Sequence, residues 1–430
     1  MSSKQNNSLQ IITIIAMMFL YAMIAFVTNL AAPVGKIWGA SFTDPAQAER
    51  MGMLGNLFNF LAYLIMGIPA GNILSKYGYK RTALTAIFLG FLGISIQWLS
   101  GVLDSFYVYL FGALLGGFCV CMLNTVVNPM LNLLGGGGNR GNQLIQTGGT
   151  LNSLTGALTP LLVGMLIGTV TERTAMSDVA PLLFIAMGVF ALAFIIIFFV
   201  DIPEPRKSDL SDKTDLSDKK YSPWSFRHLV LGVVAIFFYV GIEVGIPAEL
   251  NFYLTDDPLC GAAIGGAVAA VYWLLMMVGR AASAAISGKV STRTQLSTVA
   301  LLAIVLVIVA IILPSDIRIS MPGYSVGDGF QMMQVPISAL FLVLCGLCTS
   351  LMWGTIFNLS VEGLGRYTEQ ASGIFMMMVV GGGVMPFIQN AIADAVGYMN
   401  SYWLVVAMLA YILFYALVGS KNVNRNIPVE

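Results

Sequence analysis

Two ionised side chains stand inside long apolar stretches of the sequence. Glu243 lies in the stretch over residues 226–253, and Arg280 lies in the next one. A charge at the centre of a bilayer costs about 2.5–3.5 kcal/mol on insertion scales, so a charge that persists there indicates a functional site. Glu243 is therefore a candidate ion-binding residue; the alternative is a structural ion pair, with Arg280 as the available partner. Glu249 lies nearer the end of the same stretch and on a different helical face, and we expect it to be solvated.

Amide side chains form a second group. Asn124 and Asn128 are four residues apart, so they share one face of a helix. An amide donates and accepts hydrogen bonds but carries no proton at physiological pH, which suits a neutral polyhydroxyl ligand. Trp273 and Trp353 offer rings for the apolar face of such a ligand, with lipid contact or core packing as the alternative. For Asn128 and the following Pro129, the alternative is a plain helix kink.

The segments that position these residues are apolar and of helix length. The chain has 430 residues, of which 57% are hydrophobic and 10% charged, and its mean hydropathy is +0.84. A soluble domain carries about 25% charged residues, so the composition excludes an ordinary soluble enzyme. A spanning helix needs about 20 mainly apolar residues. Twelve spans are predicted, at residues 9–32, 52–74, 82–100, 105–134, 142–169, 181–201, 226–253, 262–287, 296–313, 335–360, 368–392 and 398–419.

Lysine and arginine are distributed unevenly between the two sides that twelve spans define. With both termini in the cytoplasm, sixteen basic residues fall in cytoplasmic segments and four in outer loops. Cytoplasmic loops are normally the basic ones. The sequence therefore predicts a multi-pass inner-membrane protein with cytoplasmic termini and with Cys260 in an outer loop.

One long polar stretch divides the chain. Residues 201–225 are rich in charge and serine and cannot bury a core, so we expect a flexible linker there. The predicted organisation is a six-helix bundle over residues 1–201, a cytoplasmic linker over 202–225, and a second six-helix bundle over 226–430.

Other chemistries lack their sequence signatures. The 21 basic and 21 acidic residues cancel and give no nucleic-acid signal. Cys345 and Cys348 are spaced as CxxC, but they lie in an apolar stretch, where packing is the favoured role. There is no HExxH, nucleophile elbow or phosphate-binding loop, so we predict no enzyme, no primary pump, and no metal or cofactor. We expect a monomer surrounded by lipid.

The segment between the second and third spans resembles a loop of the major facilitator superfamily. It reads GNILSKYGYKR over 71–81, against the family pattern G-x-x-x-D-R-x-G-R-[KR], with Ser75 where the aspartate would stand. Gly279-Arg280 and Gly288-Lys289 take the equivalent place after the eighth span. This resemblance implies an all-α membrane protein of two pseudo-symmetric six-helix bundles around a midplane substrate site. Lys80 and Arg81 in this loop are candidate gate residues. Arg280, in the inner half of span eight, is a candidate for a gate or packing role, either by pairing with an acid at the cytoplasmic gate or by reaching the inner surface.

Four further stretches resemble the fucose–galactose–glucose symporter family. They are IPAG at 68–71, NTVVNP at 124–129, FYVGIEV at 238–244, and GGG at 381–383 with DAVG at 394–397. Their order and spacing extend the resemblance over essentially the whole chain. It implies secondary active transport of a small sugar, a mono- or disaccharide, coupled to a proton or a sodium ion.

The resemblance also implies where the ligand side chains lie. Counterparts of spans one and five line the superfamily's cavity, which adds Asn29, Gln146 and Asn152 to the candidate sugar ligands. Family members carry an aspartate in span one and a glutamate in span four, where alignment places Asn29 and Asn124. Because neither amide can carry a proton, Glu243 remains the acid expected to bind the coupling ion.

Two other function classes stay open. A non-transporting membrane sugar sensor would share the same site. A multidrug or metabolite exporter of the same superfamily would need a mostly apolar cavity, which the amides disfavour. Uptake of labelled sugar separates these possibilities.

Overall fold

Helices make up nearly all of the regular structure in the computed structural model. The structure describes residues 3–40, 45–167, 176–204, 221–325, 328–424 and 426–429. Eleven of the described helical segments are long and apolar enough to cross a membrane. A further helix over 138–167 has the length but a more polar sequence. Together they form the twelve-helix fold that the sequence predicts.

The first half contains six continuous helices, each close to its predicted span. They are α1 (Ser3–Ala40), α2 (Pro45–Tyr77), α3 (Tyr79–Val102), α4 (Phe106–Leu134), α5 (Gly138–Ile167) and α6 (Met176–Phe199). Helix α5 is the polar one, with glycine, asparagine, glutamine and threonine along its first four turns.

The second half contains six spans, two of which are broken. Its helices are α7 (Arg227–Thr255), α8 (Ala262–Ile286), α9 (Thr292–Ile312), α10 (Ile337–Thr349), α11 (Met352–Ser360), α12 (Thr368–Met377), α13 (Gly381–Val396) and α14 (Tyr398–Phe414). Helices α10 and α11 form the tenth span, α12 and α13 the eleventh, and α14 continues through a π-helical turn to Gly419.

A two-stranded hairpin is a departure from helix that the sequence did not indicate. Strands β1 (Arg318–Ser325) and β2 (Gly329–Pro336) pair antiparallel in the loop between α9 and α10. At the base of β1, Arg318 donates to both carboxylate oxygens of Asp257, at 2.7 and 2.6 Å. Burial alone would raise the pKa of Asp257, but hydrogen bonds from Arg318 and the Leu259 N–H outweigh it and lower that pKa.

Both ends of the chain lie on one side of the bundle, which we call the terminal face. Gln10 near the N-terminus donates to the Leu134 carbonyl at 2.8 Å. Near the C-terminus, Arg293 at the start of α9 donates to the Ser420 hydroxyl at 3.0 Å. The far side, which carries the hairpin, is the opposite face. Whether the terminal face is cytoplasmic stays a prediction, and so does the linker, since residues 205–220 lie outside the described ranges.

The two halves meet closely on the terminal side. Helix α2 crosses α12 backbone to backbone, and a methyl group added at Gly373 would lie 2.6 Å from the Gly71 Cα atom. Small residues allow membrane helices to approach this closely. Among the described residues, eight pairs join the halves by hydrogen bonds, all between the terminal face and the middle of the bundle: Asn128–Trp353, Asn132–Asn358, Gly138–Asn358, Asn142–Ser287, Gln143–Ala284, Gln146–Leu351, Gly149–Arg280 and Ser153–Arg280. The described conformation is therefore sealed at the terminal face.

Candidate functional site

A buried ion pair lies at the centre of the junction between the halves. The Arg280 guanidinium on α8 donates to the Glu243 carboxylate on α7 at 2.9 Å, and the two side chains are 12% and 13% exposed. Each charge is thereby neutralised within the second half. The sequence left an ion pair with Arg280 as the alternative to an ion-binding role for Glu243, and the structure shows that this pair exists.

Arg280 also reaches into the first half. It donates to the Ser153 hydroxyl at 2.7 Å and the Gly149 carbonyl at 3.5 Å, both on α5. A third bond goes to the Ser350 carbonyl at 3.3 Å. One guanidinium therefore connects α5 with α7, α8 and the tenth span, a position suited to a gate.

The break in the tenth span supplies two backbone acceptors to this junction. Helix α10 ends at Thr349 and α11 begins at Met352, so the carbonyls of Ser350 and Leu351 lie at the break, where side-chain donors reach them. Arg280 binds the first, and the Gln146 amide of α5 donates to the second at 2.8 Å. The Leu351 carbonyl also accepts the Thr355 N–H at 3.2 Å. No proline or glycine stands between the two helices, so the sequence carried no signal for the break.

Asn128 is the centre of a buried amide network. Its carbonyl oxygen accepts hydrogen bonds from the Tyr21 hydroxyl of α1 and from the Trp353 indole of α11, the latter at 3.2 Å. Its amino group donates to the Asn124 carbonyl at 2.8 Å, and the Asn124 amide donates to the Tyr63 hydroxyl at 3.0 Å. In this conformation the span-four amides hold helices of both halves together; their contact with sugar stays a prediction.

Asn29 and Asn152 differ from these two residues because they keep a free acceptor. The Asn29 amino group donates to the Ala25 carbonyl at 2.8 Å, and that of Asn152 donates to the Tyr21 carbonyl at 2.9 Å. Both side chains are half-buried, and no described residue donates to either side-chain oxygen. These two oxygens are available to a ligand hydroxyl.

The two predicted tryptophans occupy different settings. Trp353 lies in the network, with its ring centroid 6.3 Å from that of Tyr239 and 6.1 Å from that of Phe375. Trp273 is 43% exposed and precedes Arg280 by seven residues, two turns along the same face of α8. Since Arg280 points toward α5, that face is the one turned toward the first half.

The predicted gate loop is organised by a residue that the sequence analysis missed. Glu204, after α6, accepts hydrogen bonds from the backbone N–H groups of Tyr79 and Lys80 at 2.9 and 3.1 Å. A carboxylate at a helix N-terminus is favoured by the helix dipole. Within the described ranges, the Lys80 and Arg81 side chains form no ion pair, and their gating role stays a prediction.

The expectation that Glu249 is solvated was wrong. Its side chain is 2% exposed, because α7 turns it toward α13 and α14 instead of toward water. The sequence places Glu249 on a different face from Glu243, but it does not show which helices cover that face.

The junction can bind a neutral polar molecule. It offers amides, backbone carbonyls, one guanidinium and aromatic rings, while the charge of its carboxylate is already matched. In the part of the chain that the structure describes, no cluster of three or more histidine, cysteine or acidic residues is arranged to hold a metal ion.

The family model described as Major Facilitator Superfamily matches residues 13–386. The chain belongs to the major facilitator superfamily. It is 29% identical to the glucose/galactose transporter of Brucella abortus (strain 9-941), covering 98% of this chain and 96% of that one. It is also 22% identical to the L-fucose-proton symporter of Escherichia coli K12, over 85% of this chain and 83% of that one.

A solved structure shows the same fold. The transporter FucP in the outward conformation superposes with a TM-score of 0.80 at 20% identity, covering 96% of this chain and 100% of that one. The family and the fold predicted from the loop and span motifs are therefore confirmed, and the relatives agree with the predicted class of sugar transporter.

Proposed function

We propose that this protein is a secondary active transporter of a small sugar, a mono- or disaccharide, that works by alternating access. The observation that supports this proposal most directly is the polar junction, where Arg280, Glu243, the amides and Trp353 converge between the halves. Relatives named as sugar transporters, aligned over almost the full chain, support the substrate class. Superfamily members bind substrate at such a junction near the midplane.

In this proposal the sugar enters from the opposite face, since the terminal side is sealed. The free oxygens of Asn29 and Asn152 accept hydrogen bonds from its hydroxyls, and Trp353 or Trp273 covers its apolar face. When the two halves move relative to each other, three further amides bind the sugar. The side chains of Asn124, Asn128 and Gln146 then exchange their present hydrogen-bond partners for sugar hydroxyls.

Glu243 keeps its predicted place in ion coupling through its pair with Arg280. A proton on Glu243 would remove the charge that holds Arg280, which would weaken the contacts of Arg280 with Ser153 and Gly149. A sodium ion at Glu243 would compete with Arg280 for the same carboxylate. Either ion would link its own binding to release of the terminal-side seal.

The proposed location is the inner membrane, with the terminal face in the cytoplasm. An impermeant maleimide added to intact spheroplasts should then label Cys260, since the other four cysteines are buried. Burial and the nearby Asp257 carboxylate raise the pKa of the Cys260 thiol, so labelling should be slow. Cys260→Ser should abolish it. Labelling of the wild type only after lysis would invert the orientation.

Transport itself is tested with the purified protein in liposomes. Radiolabelled D-galactose should accumulate under an inward proton or sodium gradient and collapse when an ionophore removes that gradient. Binding of galactose without uptake would identify a sensor. Absence of both, together with efflux of amphipathic cations, would identify an exporter.

A further inference from the structure

A second buried acid lies in α7, outside the junction. Glu249 is 2% exposed, and its Oε1 atom has no hydrogen-bond partner among the described residues. By helix geometry it lies about 9 Å before the C-terminal end of α7, which is the end at the opposite face of the bundle. No lysine, arginine or histidine forms an ion pair with it in the described chain.

The side chains around Glu249 supply acceptors, and no described donor is hydrogen-bonded to it. The Tyr253 hydroxyl, one turn later on α7, is also buried without a partner. On the same face of α7, one turn before Glu249, Gly245 leaves room for Gln389 of α13, whose Oε1 atom is also buried without a partner. The Tyr402 hydroxyl already donates to the Ile246 carbonyl at 3.0 Å. The Ser401 hydroxyl donates to the Tyr398 carbonyl at 2.7 Å.

Two further donors are engaged with other groups. The Tyr398 hydroxyl donates to the Asp256 carboxylate, and the Gln389 amino group faces the Ser401 hydroxyl at 3.5 Å. The titratable groups that act on Glu249 are Asp394 from α13 and the two tyrosines from α14, and none is cationic.

An ionised Glu249 would therefore be a buried charge beside a like charge, with no described hydrogen bond or ion pair to compensate it. An isolated carboxylate in such surroundings takes up a proton instead of remaining charged. The added proton also supplies the missing donor, since a neutral carboxyl group has one O–H.

We propose that Glu249 is a proton-binding residue of the second half, loaded from the opposite face while the terminal face is sealed. The proton comes from water through the exposed Asp394 carboxylate at the end of α13 and adds to a Glu249 carboxylate oxygen, with no other bond changed. This site is separate from the Glu243–Arg280 pair. Its use in coupling rests on the proposed sugar transport, but its protonation does not.

The direct test is infrared difference spectroscopy of the purified, membrane-reconstituted protein during a pH titration. The wild type should show the carbonyl band of a protonated carboxyl group near neutral pH, and Glu249→Gln should lose it. Glu362→Gln is the matched control, because Glu362 is 53% exposed and lies 3.8 Å from Arg293. Asp394→Asn should shift the loss of the band to lower pH, because removing a like charge weakens proton binding.

Galactose transport provides the second readout. In Glu249→Gln we expect accumulation at least about tenfold lower and almost independent of pH, with exchange of galactose between the two sides retained. A wild type without the band, or a Glu249→Gln variant that keeps it, overturns the proposal. If the band behaves as expected but no variant or wild type moves galactose, the proton site stands and the proposed sugar transport fails.

Discussion

Two glutamates on α7, six residues apart, meet opposite electrostatic surroundings. Glu243 faces the junction and is held by Arg280 at 2.9 Å, whereas Glu249 faces the interior of the second half and has a partnerless oxygen. Both are largely shielded from water, at 13% and 2% exposed, so the presence of burial alone does not explain the difference. The difference lies in the covering helix: α8 brings a guanidinium to Glu243, while α13 and α14 bring an amide oxygen, a carboxylate and occupied hydroxyls to Glu249.

Breaking the Glu243 pair should have the largest effect. Removing one partner of a buried ion pair leaves the other charge uncompensated and costs about 3–5 kcal/mol. Glu243→Gln should lose roughly that free energy of unfolding and should abolish galactose accumulation, with some exchange remaining. Unfolding in detergent and uptake into liposomes measure the two effects.

A double variant separates the destabilisation by an uncompensated charge from the loss of the ion-coupling carboxylate. Glu243→Gln with Arg280→Gln removes both charges, so it should regain much of the lost stability without regaining accumulation. A single Glu243→Gln variant that still concentrates galactose would remove Glu243 from the coupling mechanism.

An intermediate effect is expected in the amide network next to the pair. Asn124→Ala removes the donor to Tyr63, and losing a buried polar partner costs about 1–3 kcal/mol, so galactose binding should weaken about 5- to 100-fold. Calorimetric titration with galactose provides the measurement, and Thr147→Ala on the exposed side of α5 serves as the control. Unchanged affinity in Asn124→Ala would show that the amide only packs helices.

The smallest effect concerns a third acid, Asp257, just after α7. A salt bridge near a surface is worth about 0–1 kcal/mol, so Asp257→Asn should only loosen the hairpin. Because the pKa of Asp257 is lowered by Arg318, the pair stabilises the hairpin above the ordinary aspartate value of about 3.9 and is lost as pH falls through the lower folded value. Hydrogen exchange of β1 amides should therefore speed up at acidic pH in the wild type, beyond the normal chemical dependence, and Asp257→Asn should lack this extra change.

The sequence predicts where the spans lie, but it does not predict which helices and side chains contact one another. Hydropathy places eleven of the twelve helices, because a run of apolar residues has one stable fate in lipid; α5 is the more polar exception. It places Glu243 and Arg280 in neighbouring spans for the same reason. It does not show that α13 covers Glu249 or that Glu204 caps α3, because those contacts join residues more than a hundred positions apart.

The absence of local sequence signals explains two other differences between expectation and structure. The hairpin was not foreseen because its strands occupy the loop between two strongly apolar spans, where hydropathy predicts only the absence of a span. The break between α10 and α11 was not foreseen because neither proline nor glycine marks it, and the stabilising donors, Arg280 and Gln146, come from other helices.

The polar sequence of α5 has a consequence for how the protein is made. Asn142, Gln143 and Gln146 find their hydrogen-bond partners on α8 and in the tenth span, which leave the ribosome long after α5 does. Until those spans arrive, the three amides have no such partners, and lipid offers none. We expect the nascent first half to hold α5 loosely at the insertion machinery, and to bury it fully only when the second half has entered the membrane.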